Sequence, residues 1–513
     1  SNDFKQRMNY WLSYSKPLVY SWHLLDYLGE NTIDSIMHDY YEDWKFRHPY
    51  PEDFFYYFNK HSNKDLSWFT NDVFYETGIV DYGASIVNND VIFTNYGSLT
   101  LPFEVSFQDE NNREISRQWF ENVKRVKSID LPKDASSVTI DPDQTLPDVN
   151  RLNNATSKPL KFTWIFDQPQ YYKREIFWMP WLFSGNQYNG WTPGMNFYHG
   201  YVPGYDFGIG FRPMWDFQNN QLVGSAKYMR DFNNLGRFHV STFDFELSQN
   251  SGRKGMFFEF SGKSKKHLES YPKWKTILNI NYHNIKKEAV NPNYYDEGEM
   301  VVGYAELELH DVPNPFLNYY FRSALQMGMM HSQFLRLNFQ SNVYYRFSKK
   351  ISSKVRIWLG GFIDKANLPM QYKTYLSGGV DPDFRNEYVM NRTLENNNIS
   401  IGTGQYEISG PSLHGLILDD NGHMMGIDKW VFSINFDMGL PKIPGRPFFD
   451  IAFLEGEKPF FDFGIKKTFG PIEVIMPLYQ SWDENQFVNN QNWLLDRLRI
   501  KFNFPKFNFR QLF

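Results

Sequence analysis

From Lys158 to the C-terminus, apolar and polar residues alternate with a period of two, as in strands whose successive side chains face opposite sides. In the run from Leu335 to Phe347, one face reads Leu, Leu, Phe, Ser, Val, Tyr, Phe and the other reads Arg, Asn, Gln, Asn, Tyr, Arg. Strands of roughly 9 to 13 residues are long enough to cross a bilayer when tilted, whereas sandwich strands run about 5 to 6. We therefore predict a mainly β fold, a transmembrane antiparallel β-barrel of about 14 to 16 strands. A soluble all-β protein with an aromatic-rich surface is the alternative.

The connections between these strands predict an orientation. The longest ones, residues 286–298, 365–427 and 480–494, all fall on the same side of the predicted barrel. Bacterial barrels have short periplasmic turns and long external loops, so both chain ends are expected in the periplasm. The loop 365–427 is costly to keep unless it binds a partner or plugs the barrel, and a mobile surface loop is the alternative.

Charged residues are expected on the inward face of several strands. They are Asp244, Glu246, Glu306, Glu308, Arg336, Arg346, Arg356 and Arg499. Opposite charges could pair inside a filled lumen or could line a conducting pore. Trp358 and Phe362 share the inward face, and their bulk disfavours a permanently open channel.

The first 157 residues differ in pattern from the rest. We predict a helical part over residues 1–78, a small β-sandwich over 79–157 and the barrel over 158–513. In the helical part, Leu18, Leu24 and Leu28 recur at helical spacing and Gly29 can end that helix. The carboxylates around Asp141 could form a calcium loop, but the glycine and glutamate of such loops are missing, so an ordinary turn is favoured.

Composition agrees with a membrane barrel. The 513 residues include 48 Phe, 33 Tyr and 15 Trp, yet the mean hydropathy is −0.55. A barrel reconciles the high aromatic content with the low mean hydropathy, because only alternate residues of each strand face lipid. Aromatic residues near strand ends are expected as girdles at the membrane interfaces: Trp215, Tyr228, Tyr282, Tyr319, Tyr320 and Trp430. The net charge of −5 gives no reason to expect a nucleic-acid partner, and the absence of cysteine rules out disulfides and thiolate metal sites. Residues 1–20 show no signal-peptide pattern, so a mature product or part of a longer chain is expected.

Several blocks near the N-terminus resemble the end of the catalytic domain of M1 metallopeptidases. Tyr14-Ser15-Lys16 and the glycine of Leu28-Gly29 are similar to a Tyr-x-Lys-Gly motif that opens a helix ending in Leu-Gly, although Pro17 replaces the motif's glycine. Blocks from Tyr40 to Phe54, at Asp65-Leu66-Ser67-Trp68-Phe69 and from Ile140 to Arg151 resemble M1 homologues of the Bacteroidota. The barrel resembles the C-terminal extension of some large members of that group.

The resemblance implies a role for Tyr14 and a metal outside this chain. In the family, the matching tyrosine stabilises the oxyanion formed when water attacks the peptide carbonyl. Zinc is held there by His-Glu-x-x-His and a later Glu, a motif that these residues lack, since no two of the 12 histidines are four positions apart. No cofactor or metal ligand is therefore expected in this chain, zinc is expected upstream, and activity of this chain alone is not expected.

Three hypotheses for the function follow. The first is an outer-membrane anchor of an M1-type zinc metallopeptidase, with periplasmic N-terminal domains and with peptides as substrates of the complete protein. The alternative is a non-catalytic subunit of an outer-membrane protein assembly or export complex. A solute channel is the third. Outer-membrane lipid, and other outer-membrane or periplasmic proteins, are the expected partners.

Overall fold

The structure is a computed structural model. It describes residues 14–76, 78–167, 173–182, 185–186, 190–199, 207–250, 252–264, 273–290, 292–348, 351–377, 410–441, 443–470, 472–482 and 497–502. These residues fall into two compact units, one formed mainly by residues up to Trp178 and the other mainly by residues from Met179 onward.

The first unit begins with helices that follow the predicted pattern. They are α1 Lys16–Leu28, α2 Glu30–Trp44, α3 Pro51–His61 and a π-helical turn Trp68–Val73. Gly29, at φ +82°, ends α1, a conformation that glycine adopts without strain. At the start of α3, the Asp53 carboxylate accepts a hydrogen bond from the Tyr50 N–H at 2.9 Å, as expected of an acidic residue in a first turn. Among the described residues, no helix has the length and apolar content needed to cross a bilayer.

Two three-stranded sheets follow the helices. Their strands are β1 Tyr82–Val87, β2 Asp90–Asn95, β3 Phe103–Gln108, β4 Glu114–Phe120, β5 Val126–Asp130 and β6 Ser137–Ile140. One sheet has the order β1-β2-β5 and the other β4-β3-β6. Tyr82, Phe93 and Phe103 are fully buried between these strands and pack ring against ring. These rings are part of one hydrophobic core that also includes residues of the helices.

The remaining strands include the long strands of the barrel. They are β7 Leu160–Trp164, β8 Arg174–Trp181, β9 Gly185–Asn186, β10 Gly190–Trp191, β11 Gly194–His199, β12 Phe207–Asp216, β13 Gln221–Asn233, β14 Phe238–Asn250, β15 Arg253–Ser264, β16 Lys273–Ile285, β17 Gly298–Asn314, β18 Leu317–Met329, β19 Gln333–Arg346, β20 Ser352–Asn367, β21 Thr374–Tyr375, β22 Gly426–Ile427, β23 Val431–Gly439, β24 Arg446–Leu454, β25 Phe460–Phe469, β26 Ile472–Gln480 and β27 Arg499–Phe502.

The large sheet has the strand order of a closed barrel, which confirms the predicted fold class. From β12 to β20 and from β23 to β27, each strand pairs antiparallel with the next along the chain, as in an up-and-down barrel. The sheet contains seventeen strands among the described residues, one more than the upper expected number. β7 and β8 pair in parallel, which departs from the expected all-antiparallel pattern.

The outward face of the barrel strands is apolar and exposed. Its exposed residues include Ile209, Phe211, Leu222, Leu247, Met256, Phe258, Leu278, Ile280, Leu307, Leu325, Met327, Ile357, Leu359, Ile363, Phe449, Phe453, Phe463 and Ile465. Side chains next to them in sequence, such as Arg356 and Trp358 beside Ile357, are buried. A soluble protein rarely exposes so large a continuous apolar surface, whereas a transmembrane barrel presents one to lipid.

The predicted position of one aromatic residue, Tyr320, was wrong: its side chain lies on the inner face of the barrel and not on the outer face. Tyr320 was expected in an aromatic girdle, but it lies on the same face of β18 as the buried Arg322. Its hydroxyl donates a hydrogen bond to the Glu308 carboxylate at 2.9 Å. Tyr320 is therefore part of the polar inner face.

Candidate functional site in the barrel lumen

Buried polar side chains on the inner face of β17 and β18 pair with one another. Glu306 and Arg322 form an ion pair at 2.5 Å, and both residues are less than 10% exposed. The Arg322 guanidinium also donates to the Tyr304 hydroxyl. Opposite charges thus pair within the lumen, one of the two alternatives that the sequence left open.

The second part of the long loop passes through the lumen. Residues 410–417, which we call the lumen strap, contact inner-face side chains of five strands, β20, β23, β24, β25 and β27. Arg356 of β20 donates to the carbonyl oxygens of Gly410 at 2.5 Å and Pro411 at 3.0 Å. Ser433 of β23 donates to the same Pro411 carbonyl at 3.1 Å. Contacts to one segment from so many strands are possible only on the concave side of the barrel.

Two fully buried carboxylates hold the centre of the strap. Asp450 of β24 and Asp462 of β25 are directly opposite each other in the sheet, and each is 0% exposed. Asp450 accepts hydrogen bonds from the His414 backbone N–H at 2.8 Å and lies 2.5 Å from His414 Nδ1. Asp462 accepts a hydrogen bond from the Gly415 backbone N–H at 2.5 Å. Each of the two buried carboxylates thereby accepts a hydrogen bond from the strap backbone.

A chain of charges continues from His414 along the inner face. Lys466 Nζ lies 3.0 Å from His414 Nε2 and 3.1 Å from the Asp437 carboxylate. The same Asp437 carboxylate accepts a hydrogen bond from the Arg446 guanidinium at 2.6 Å. A small cavity of about 20 Å³ lies beside these groups, which is room for about one water molecule. His414 thus has a polar partner at each ring nitrogen, and its side chain is only 10% exposed.

Further contacts hold the second half of the strap and the neighbouring Ser377. Arg499 of β27 donates to the His414 carbonyl at 2.6 Å and to the Ser377 carbonyl at 3.1 Å. Trp482 Nε1 donates to the Leu416 carbonyl at 2.9 Å. An apolar cluster surrounds these bonds, with strap and barrel residues in contact: Trp358, Leu376, Leu413, Ile417, Ile427, Val431, Ala452 and Leu454.

The first part of the loop is also bound to the barrel wall and to a neighbouring connection. Arg336 of β19 donates to the Thr374 hydroxyl at 3.0 Å. In the connection between β16 and β17, the Asp296 carboxylate accepts a hydrogen bond from the Met370 N–H at 2.8 Å. An open pocket of about 290 Å³ lies between these loops, lined by polar groups such as Lys373, Asp419 and His423. The described parts of two long connections therefore form one packed layer.

These contacts answer the question posed by the loop. The strap residues 410–417 are packed inside the barrel, so the plugging alternative describes this part of the loop, and the inward placement of Arg336, Arg356, Trp358 and Phe362 is confirmed. Gly378-Gly379, Gly402 and Gly404 lie outside the described residues. Sequence reasoning missed His414, Asp450, Asp462 and Lys466. The alternation of β24 and β25 could have shown that both aspartates share one face, but no pattern predicted the strap beneath them.

Tyr14 lies two residues before the start of α1 and is 66% exposed. Leu18 and Trp22, one and two turns further along the helix, are 67% and 59% exposed, so the three form an aromatic and apolar stripe. In the part of the chain that the structure describes, no group of three or more His, Asp or Glu side chains could hold a metal ion. The role of Tyr14 remains a prediction.

His23 of α1 is a buried, hydrogen-bonded residue. Its side chain is 1% exposed, Nε2 lies 2.9 Å from the Pro102 carbonyl and Nδ1 lies 3.2 Å from the Thr145 hydroxyl. Burial lowers the pKa of His23 to about 4, so the imidazole is neutral at pH 7. His23 is thus a structural residue of the first unit.

The Asp141 turn is likewise closed. Its carboxylate forms a 2.5 Å ion pair with Arg151 and accepts hydrogen bonds from the backbone of Thr145 and Leu146. Burial raises the pKa of Asp141 to about 6, despite that ion pair. The carboxylate is therefore a structural group of a turn, as the sequence favoured.

Two solved structures have similar folds. BamA from Haemophilus ducreyi lacking POTRA domains 1–3 is 8% identical, with a TM-score of 0.33 over 60% of this chain and 66% of that one. CdiB from Acinetobacter baumannii is 10% identical, with a TM-score of 0.30 over 74% of this chain and 62% of that one. This chain thus spans less than two thirds of either, and similarities at this level carry no argument about function. No known family of sequences and no curated protein matches the chain.

Proposed function

We propose that this chain is a non-catalytic barrel subunit of a bacterial outer-membrane protein assembly or export complex, with its first unit in the periplasm. The observation that carries the proposal is the lumen strap. A barrel whose lumen is occupied by its own chain, held by buried hydrogen bonds, offers surfaces for neighbouring proteins and no permanent path for solutes.

An exposed stripe on the first unit supports a protein partner. Tyr14, Leu18 and Trp22 lie on one side of α1 and are all more than half exposed. Aromatic side chains at a surface are typical of the centres of protein interfaces, where they contribute most of the binding energy. We infer that this stripe is where a partner protein docks.

Gentle detergent extraction followed by co-purification tests the proposal. The wild-type chain is expected to co-purify with a defined set of envelope proteins. The double variant Leu18→Ser/Trp22→Ser is expected to lose those partners. Its matched control is Tyr96→Ser/Val126→Ser, which removes two residues of the same unit that are each 64% exposed. A wild-type barrel that purifies alone would contradict the proposal.

A second candidate is the anchor of an M1-type zinc metallopeptidase. It is favoured by the same stripe, because Tyr14 is accessible at the start of a helix that ends at Gly29, in agreement with the motif that the sequence resembles. The genomic sequence preceding Ser1 tests it. Without a His-Glu-x-x-His motif and a following Glu upstream, the peptidase candidate is to be abandoned, whereas the assembly proposal would stand.

The two candidates also differ in chemistry. If the complete protein is a peptidase, Tyr14→Phe is expected to lower kcat by about 10²-fold or more, since one oxyanion donor contributes about that much. KM for a peptide substrate is expected to change little. A non-catalytic subunit would show no zinc-dependent peptide hydrolysis for the variant to reduce.

A further inference from the structure

The parallel pairing of β7 and β8 brings the starts of two neighbouring strands to the same end of the barrel sheet. Leu160 of β7 is the register partner of Arg174 of β8, and Lys158 lies two residues before Leu160. In an antiparallel pair, the two starts would lie at opposite ends. The parallel pair therefore collects the positive charges that precede or open each strand.

Lys158 and Arg174 are close enough for their charges to repel each other. Burial, and after it the positive charge of Arg174, lowers the pKa of Lys158. In the described part of the chain, neither side chain forms an ion pair or a hydrogen bond. The carboxylate of Glu175 accepts a hydrogen bond from the Thr163 hydroxyl at 2.8 Å and lies 3.6 Å from the Lys161 ammonium. An anion between Lys158 and Arg174 would relieve their repulsion.

The face of β7 that follows Lys158 is apolar and exposed. Leu160 and Phe162 are each 59% exposed. Further along the same face, the rings of Trp164 and Trp178 pack against each other with centroids 4.7 Å apart. The strand ends of a transmembrane barrel lie at the level of the lipid headgroups. An amphipathic molecule with an anionic head and an apolar chain thus matches the two cations and the apolar face beyond them.

We propose that Lys158 and Arg174 bind the phosphate of a phospholipid headgroup, with an acyl chain of the lipid lying along Leu160 and Phe162. The planar guanidinium of Arg174 can bind two phosphate oxygens, and the Lys158 ammonium adds a compact charge with further donors. The phosphate lies between the two positive charges and removes their repulsion. The apolar face supplies the rest of the binding energy, so the site takes phosphate as part of a lipid.

Native mass spectrometry of the full chain in an uncharged detergent tests the proposal. The protein is titrated with phosphatidylglycerol and, separately, with diacylglycerol of the same acyl chains, which lacks the phosphate. We expect wild type to retain phosphatidylglycerol and not diacylglycerol. An excess of inorganic phosphate distinguishes a free phosphate from a lipid phosphate as the ligand, and it is expected to leave the lipid bound.

Variants assign the binding to the two cations. Lys158→Gln/Arg174→Gln is expected to bind phosphatidylglycerol about 100-fold more weakly than wild type, since each lost hydrogen bond to a charged group weakens binding about tenfold or more. Lys158→Gln alone changes a residue outside the strands, so its expected tenfold loss provides the test if the double variant does not fold. The control Arg237→Gln/Lys467→Gln removes two exposed cations near other strand ends and is expected to bind as wild type.

Several results would overturn the proposal. They are equal binding by wild type and the variants at Lys158 and Arg174, an equal loss in the Arg237→Gln/Lys467→Gln control, equal binding of diacylglycerol, and displacement of the lipid by inorganic phosphate.

Discussion

Arg322 and Glu306 are joined by a 2.5 Å ion pair between β17 and β18, and neither is more than 8% exposed. Removal of one partner leaves the other charge buried without its counter-ion, which costs about 3 to 5 kcal/mol. We expect Glu306→Gln to lower the stability of the barrel in detergent by about that amount. The measurement is the midpoint of urea unfolding, followed by circular dichroism.

The double variant Glu306→Gln/Arg322→Met is the control for the single variant. It removes both charges, so it is expected to recover much of the stability lost in the single variant, because no unpaired charge remains. If the double variant is as unstable as the sum of the two singles, the ion pair is not what couples the two positions.

Arg356 supports the strap through backbone carbonyls. Arg356→Lys keeps the charge but replaces the planar guanidinium, which donates to the carbonyl oxygens of both Gly410 and Pro411, with a single ammonium group. Hydrogen bonds worth about 1.5 to 3 kcal/mol each are therefore weakened. We expect faster hydrogen–deuterium exchange at residues 410–417. Arg346→Lys, at an exposed position of β19, is the control and is expected to leave exchange unchanged.

The lipid-facing surface can be tested at Leu325. This residue is 40% exposed in the middle of β18, where it pairs with Leu337 and Ala305 on the outward face. Leu325→Arg is expected to destabilise the barrel in lipid vesicles by about 2 to 4 kcal/mol, the cost of an arginine near the centre of a bilayer. Val126→Arg, at a 64% exposed position of the first unit, should cost little. Equal, small effects would contradict a membrane-facing Leu325.

Because His23 is buried as a neutral imidazole, we predict that the stability of the first unit depends on pH. Its pKa is lowered to about 4 in the folded state, against about 6.5 in an unfolded chain, so below pH 6.5 the unfolded state binds more protons. The contribution of His23 to the free energy of unfolding is fully present above pH 6.5. As the pH is lowered towards 4, that contribution falls by up to about 1.4 kcal/mol per pH unit. The measurement is the free energy of opening of α1 by hydrogen–deuterium exchange, for wild type and for His23→Gln.

The difference in the free energy of opening between wild type and His23→Gln isolates the contribution of His23. The pKa of Asp141 is raised to about 6, so its contribution rises as pH falls and opposes that of His23, but it is present in both proteins and cancels. His38→Gln, at an exposed position of α2, is expected to follow wild type. Parallel pH profiles for wild type and His23→Gln would contradict a buried neutral imidazole.

The sequence predicted the barrel because alternation and strand length are local properties. The inner placement of Arg356 and Trp358 follows from the same period of two. The direction of pairing is not local, so the parallel pair β7 and β8 was not foreseen and the strand number was set too low. Tyr320 was assigned to the wrong face because aromatic residues suit both a membrane interface and a lumenal hydrogen bond.

The strap was beyond prediction for another physical reason. Its bonds to Arg356, Ser433 and Arg499 use backbone carbonyl groups, which every residue carries and which leave no signature in the sequence. Loop length alone suggested a plug as one alternative. Only the hydrogen bonds between residues 410–417 and the inner face distinguish a plug from a mobile surface loop for this segment.

Arg499 of β27 binds the strap to a strand that comes much later in the chain. The arginine that binds the carbonyls of His414 and Ser377 is synthesised 85 and 122 residues after them. Contacts so distant along the chain form slowly, because a long loop must close first. The strap therefore cannot reach its final packing until β27 is in place, so docking of the strap belongs to the late steps of barrel assembly.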